Sequence, residues 1–321
     1  MRHRWFADKL HAAGLVSAGF VLAAAALSIL PLSPASAGAD GLLLQDHALV
    51  GSIWDTQTGL RATEADLVSA AAKAKWILLG EKHDNPEHHR LQARIVEAIG
   101  AAGRRPAVVW EMAEPAHAQT LRAAAAETVD GLGDALSWEA RGWPAWSTYR
   151  PIAEAALKHG MAMAPGNASP EATRAVGRGQ PLSAAEAERL DWSLDYPQEQ
   201  MIDLTRILAD SHCGMLPESA LPAMADVQRF RDAWMSASLR DADSGDGAIL
   251  IAGSQHVRED RGVPWRLGEP VFSLAIIEVA RDEERAETYP SFDAAQFDFV
   301  WFTARVDEED PCEKFRRQMK G

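Results

Sequence analysis

The sequence predicts an α/β fold, a mainly parallel sheet flanked by helices, from two observations. Short unbroken apolar runs recur along the chain, as expected of strands buried on both faces. Stretches of helical periodicity separate them, as crossovers between parallel strands require. The 321 residues are 47% hydrophobic and 24% charged, a balance that supports a sizeable core and excludes a disordered or low-complexity chain. The net charge of −14 argues against nucleic acid as a partner, because Lys and Arg form no dense block beyond the extreme N-terminus.

Arg2, Arg4 and Lys9 precede an almost continuous apolar run over residues 15–30, followed by a small-residue exit ending Ala35-Ser36-Ala37. That order predicts a signal peptide over residues 1–37, cleaved after Ala37. Residues 38–321 then form a single α/β domain in the periplasm or outside the cell. No Cys adjoins the cleavage site to accept a lipid. Cys213 and Cys312 are the two cysteines present; export permits a bridge between them, and spacing leaves bridge and free thiols equally open.

In chain order, residues 51–54 read as a short strand, and Thr63 with Asp66 as a capping box opening an Ala-rich helix. Residues 76–79 read as a buried strand. Asn85-Pro86 pairs a cap residue with Pro at the first helical position, opening a helix to about Ile99 whose Leu91, Ile95 and Ile99 share a face. Residues 106–110 give a second buried strand, followed by a helix over about 114–126. A helix over 151–159 leads to a weaker strand at 161–164. Residues 248–252, 271–277 and 297–302 are the later strands. Between them, residues 183–240 hold no strand-like run but open on another capping box, Ser183 with Glu186; this stretch reads as a helical insert able to cover the open end of the sheet, where ligands of α/β folds bind.

Two of the buried strands end alike, in Gly80-Glu81-Lys82-His83 and Gly253-Ser254-Gln255-His256. Glycine permits a sharp turn at the carboxyl end of a strand, aiming the following residues over the sheet. Glu111 also follows its strand directly, so Glu81, His83, Glu111 and His256 are expected to converge, with Asn167 as a further member. Two imidazoles and two carboxylates suit a divalent metal ion, or acid–base catalysis without one. His88 and His89 lie at the start of the next helix, where they could reach back over the same crevice, although an exposed face is expected for at least one. In the insert, His212, Cys213 and Met215 place soft or borderline ligands together, and Tyr196 is a further candidate for haem iron. Serine-hydrolase and nucleotide-binding signatures are not found.

The ordered set of Leu79 to Gln92, Val109 to Met112, Arg141-Gly142-Trp143 with Tyr149-Arg150-Pro151, His212 to Met215, Met224 to Met235, and Gly253 to His256 leading into Gly262-Val263-Pro264 resembles the ChaN-like haem-binding family. That family is grouped with the Tiki peptidases and erythromycin esterases. The resemblance covers nearly all of residues 38–321 and implies an α/β fold with haem as cofactor. For ChaN-type members it implies a role in iron uptake alongside outer-membrane haem-uptake machinery, with haem held between the subunits of a homodimer. For the wider group it implies a polar crevice at Glu81, His83, Glu111 and His256. Two readings follow: a periplasmic haem-binding protein using His212, Tyr196 or Met215, with Trp192, Trp234, Met215 and Leu216 as an apolar wall and Arg206, Arg229 or Arg231 on the propionates; and a metal-dependent hydrolase, peptidase- or esterase-like, using the crevice. A non-catalytic scaffold is the remaining alternative.

Overall fold

A computed structural model describes residues 41–268 and 270–318; the expected signal segment, residues 1–37, lies outside them. The sheet has eight strands in the order β2-β1-β8-β7-β3-β6-β4-β5. They are β1 (Ile53–Asp55), β2 (Leu60–Ala62), β3 (Trp76–Glu81), β4 (Ala107–Trp110), β5 (Met163–Pro165), β6 (Ala248–Gly253), β7 (Val271–Glu278) and β8 (Phe299–Thr303). The six strands from β8 to β5 run parallel, while β1 and β2 complete one edge in antiparallel pairing. The expected α/β architecture is therefore the observed one.

Strand parity divides the core. Ile77 and Leu79 of β3 pack with Ile249 and Ile251 of β6 on one face, beneath Leu91, Ile95 and Ile99 of the helix Pro86–Ala101 and Ile152 of the helix Trp146–Lys158. Leu78, Leu250 and Ala252 point to the other face, onto Met235 and Leu239 of the helix Leu221–Ala242. Alternation of this kind follows from the two-residue repeat of a strand. It also directs Glu81, the next residue in the Ile77–Leu79 series, towards the first pair of helices.

Local rules explain most departures from expectation. The 114–126 segment is interrupted: a 3-10 turn at Pro115–His117, a short helix Ala118–Ala123 and a second 3-10 stretch Ala126–Gly131 replace one helix. The fifth helix begins at Trp146, five residues before the expected start, and carries Pro151 within it. Strand β2 was not expected; its three residues Leu60, Arg61 and Ala62 carry too little pattern and are held by pairing with β1. Residues 183–240 contain the helices Ala184–Arg189, Gln198–Ser211 and most of Leu221–Ala242, and no strand. Among the described residues no helix is long and apolar enough to cross a membrane. The cysteine question is answered: Cys213 and Cys312 are joined by a disulfide.

At Gly80 the second face leaves no room for a side chain. A Cβ there would lie 2.5 Å from Val257 Cγ2 and 2.9 Å from the Leu274 carbonyl oxygen, so even one methyl group displaces neighbouring backbone. Gly80→Ala is expected to destabilise the fold by about 1–3 kcal/mol, the range for overpacking a filled core, measured as a lower urea midpoint with an unchanged slope.

Candidate functional site

The carboxyl ends of β3, β4 and β6 meet at one polar crevice. Glu81, at the end of β3, is fully buried, and its Oε1 accepts a hydrogen bond from the Tyr149 hydroxyl at 2.6 Å and pairs with His83 Nδ1 at 2.7 Å. Its Oε2 lies 3.2 Å from His89 Nε2, and the His89 ring stacks on Tyr149 with centroids 3.6 Å apart. Burial by itself would raise the Glu81 pKa, but the His89 and His83 imidazoles outweigh it and hold the carboxyl well below its usual range.

Glu111, one residue past β4, has its own set of partners. The Gly253 N–H donates to Oε2 at 2.7 Å, Arg231 Nη2 donates to Oε1 at 2.5 Å, and His256 Nε2 lies 3.4 Å from Oε1. Its carboxyl is likewise held well below the usual range, with burial opposing and the His256, His83 and Arg231 charges prevailing. His256 is fixed in turn by Asp232, whose Oδ1 is 2.5 Å from Nδ1. Arg231 also donates from Nε to Asn167 Oδ1 at 3.3 Å. His83 joins the two halves, because its Nε2 is 3.8 Å from Glu111 Oε2 and Gly253 leaves room for the ring. Its side chain is 34% exposed, against 0% for Glu81 and 2% for Glu111. Burial would lower its pKa, but Glu111 and Glu81 raise it to about 9, so His83 carries a proton at neutral pH.

Glu81, His83, Glu111 and His256 thus do come together, and Asn167 with them. The expected divalent metal does not follow. Among the described residues no group of three His, Cys, Asp or Glu is arranged to hold an ion; the guanidinium of Arg231, the Tyr149 hydroxyl and the Gly253 amide bond three of the four carboxylate oxygens of Glu81 and Glu111. Neither His88 nor His89 lies on an exposed helix face; both are fully buried. His88 Nδ1 accepts from the Lys82 N–H at 2.9 Å, so Nε2–H faces Thr303 Oγ1 at 2.8 Å, and burial lowers its pKa to about 3. Sequence reading missed Tyr149, Asp232 and Gln228, whose Nε2 lies 3.1 Å from His256 Nε2, as members of the crevice. A signal existed for two of them, since Gln228, Arg231 and Asp232 recur at helical spacing and form a polar stripe on the helix Leu221–Ala242.

The insert presents a different surface. Met201, Ile202, Thr205, Arg206, Ala209 and Leu221 line an apolar cleft of about 360 Å³. Ile202 of this cleft is 61% exposed, high for a large apolar side chain lining an apolar surface. On the helix Gln198–Ser211, positions 202, 205, 206 and 209 form one face, and His212 continues that face by one further step as the C-cap. His212 Nδ1 is 2.7 Å from the Leu208 carbonyl oxygen; a carbonyl only accepts, so Nδ1 carries the hydrogen and the ring lone pair is on Nε2. The disulfide from Cys213 to Cys312 anchors the turn beside it. Tyr196 is elsewhere: it is 9% exposed, and its hydroxyl donates to the Arg261 carbonyl at 3.2 Å. Trp192 and Trp234 are not a wall of the cleft; they pack against Phe230 in the insert's own small core. Of the three arginines considered for propionates, Arg231 is committed to Glu111 and Arg229 lies over Trp192 and Tyr196, whereas Arg206 lines the cleft.

A family profile described as haem-binding uptake, Tiki superfamily, ChaN matches residues 67–267, more than half of the chain. The chain belongs to this family. Among solved structures it is similar to ChaN of Campylobacter jejuni, titled for cofacial haem binding, at 22% identity over 78% of this chain and 95% of that one, with a TM-score of 0.60. It also matches the type III effector HopBA1 at 14% identity over 74% of this chain and 92% of that one, with a TM-score of 0.44. The first likeness agrees with the eight-stranded sheet described above. No curated protein matches significantly.

The crevice makes stability depend on pH in a direction fixed by His83. Its folded pKa, about 9, lies above the ordinary 6.5, so the stabilisation is complete below about pH 6.5 and is lost as pH rises through about 9. Replacing His83 by Gln is expected to flatten the alkaline limb of the stability–pH curve in that window, measured by urea unfolding at a series of pH values. An unchanged limb would show that the imidazole does not bind its proton through Glu81 and Glu111.

Proposed function

We propose that the protein binds haem on the exposed cleft of the insert. The observation that carries this reading is the apolar face of the helix Gln198–Ser211 running into His212, together with membership of a haem-binding family. The residues fit the group. Met201, Ile202, Ala209 and Leu221 offer apolar contact for a porphyrin face, His212 is the imidazole that follows this face with its Nδ1 on the Leu208 carbonyl, and Arg206, paired with Asp203 and Asp210, is the cation at the rim. When bound, haem supplies an iron centre whose properties depend on its axial ligand and surroundings.

The cleft is open to solvent and buries only one side of a flat ligand, so closure by a second copy of the chain is part of the proposal. Cofacial haem binding is the property named for the Campylobacter jejuni structure, and it suits a surface of this kind. A role in haem uptake and a periplasmic site of action, reached through the expected signal segment, complete the reading. Tyr196 and Met215 are alternative ligands; Met215 is exposed on the turn after His212, while Tyr196 would have to leave its bond to Arg261.

Haemin titration followed at the Soret band tests this directly. The wild type is expected to bind saturably, His212→Ala to shift the band and weaken binding at least tenfold, about 1.4 kcal/mol or more, and Ile202→Asp to weaken it through the apolar face. Affinity and spectrum unchanged in both variants would refute the cleft.

A second reading, hydrolysis without a metal, is favoured by one observation: His83 is a part-exposed protonated imidazole set between two buried carboxylates. An ester and peptide screen in which activity disappears in His83→Gln, with haem affinity retained, would support it.

A further inference from the structure

Where the helix Val263–Leu267 meets the insert lies a group of arginines, of which Arg229 is a sequence candidate for a propionate and Arg266 is used by neither reading. Arg266, in the helix Val263–Leu267, is 5% exposed, and none of its three guanidinium nitrogens has a hydrogen-bond partner. Two rings lie close to it: Trp192 at 5.7 Å and Trp265 at 5.8 Å from its Cζ. Arg229 lies over the same Trp192 ring at 5.2 Å and over Tyr196 at 4.7 Å, and its Nε is also buried without a hydrogen-bond partner. Tyr196 in turn meets Trp265 edge-on at 5.1 Å. Arg261, 3% exposed, is the third cation of the group.

The charges do not balance. Arg229 is paired with Asp226 at 3.2 Å and Arg261 with Asp203 at 3.2 Å. Asp232 is the acidic group with the largest influence on Arg266, but its Oδ1 is bound to His256, which leaves Arg266 without a carboxylate of its own. A guanidinium cannot shed its proton to escape this position, and an isolated buried charge costs several kcal/mol. Aromatic faces offset part of that cost, yet they cannot accept the five N–H groups that a guanidinium directs in its own plane. What does match that fork is a planar or tetrahedral oxyanion, held through two parallel charge-assisted hydrogen bonds.

We infer that Arg266, with Arg229 beside it, forms a buried binding site for an oxyanion, a carboxylate or phosphate group, between the insert and the body of the fold. The chemistry has two sources, a free small anion or an acid group carried by a larger ligand such as a haem propionate. None of the carboxylates of the crevice pairs with Arg266; occupancy by a free anion is independent of the proposed function, whereas occupancy by a propionate rests on it.

Calorimetric titration of the purified protein with inorganic phosphate and with acetate, at constant ionic strength set by chloride, tests the inference, with a parallel haemin titration of wild type and Arg266→Gln. Saturable binding of phosphate or acetate that weakens at least tenfold in Arg266→Gln identifies a free anion. Absence of both, with haemin affinity at least tenfold weaker in Arg266→Gln and its Soret position unchanged, identifies a propionate. No binding of either anion together with unaltered haemin affinity overturns the site. Should Arg266→Gln fail to fold, Arg229→Gln takes its place and is read by the same criteria.

Discussion

Two carboxylates, those of Glu81 and Glu111, are buried at the carboxyl end of the sheet, and a buried carboxylate dictates what surrounds it. Left alone, each would cost more than a folded domain of this size has to spare. The structure answers with His83, His89 and Tyr149 for Glu81, and with Arg231, His256 and the Gly253 amide for Glu111. Each partner comes from a different element. The helix Pro86–Ala101 must bring His89 in, the helix Trp146–Lys158 must bring Tyr149, and the helix Leu221–Ala242 must bring Arg231 and Asp232. The positions of three helices on two faces of the sheet are thereby tied to one polar cluster.

That cluster also separates two regions of different chemistry. Around it Tyr149, His83, Arg231 and the Gly253 amide hold the carboxylates by charge-assisted hydrogen bonds, and His83 reaches solvent more than either acid. On the insert, apolar side chains are exposed and the partners are few, which is the composition of a surface awaiting a ligand or a second copy. The helix Leu221–Ala242 belongs to both regions: Arg231 and Asp232 face the crevice, while Arg229 faces the aromatic group that includes Trp192 and Tyr196. A ligand on the insert therefore sits one helix away from the buried acids.

The strands were legible because residues 76–79 and 248–252 are continuous apolar runs ended by glycine, and burial on both faces leaves no room for another pattern. The convergence of Glu81, His83, Glu111 and His256 was legible for the same reason, since each directly follows a strand whose neighbours in the sheet are fixed. Tyr149 was not, because nothing near it in the chain shows that helix Trp146–Lys158 crosses over the end of β3. His88 and His89 were misjudged because a helix start bearing two histidines reads as polar, whereas tertiary packing supplies Thr303 and Glu81 as partners. The partner that Glu111 finds in Arg231 was not legible, because that cation comes from 120 residues away in the chain. The wall expected from Trp192 and Trp234 failed because their periodicity records a local core, not a surface.

The central claim is that haem belongs to the insert and not to the strand-end crevice. The most direct test is diffraction from crystals grown with haemin, using anomalous scattering at the iron absorption edge to place the metal without bias from the protein. The account predicts an iron peak beside the helix Gln198–Ser211 within bonding reach of the His212 side chain, and a second copy of the chain across it. An iron peak over the carboxyl ends of β3 and β6, among Glu81, His83, Glu111 and His256, would contradict it.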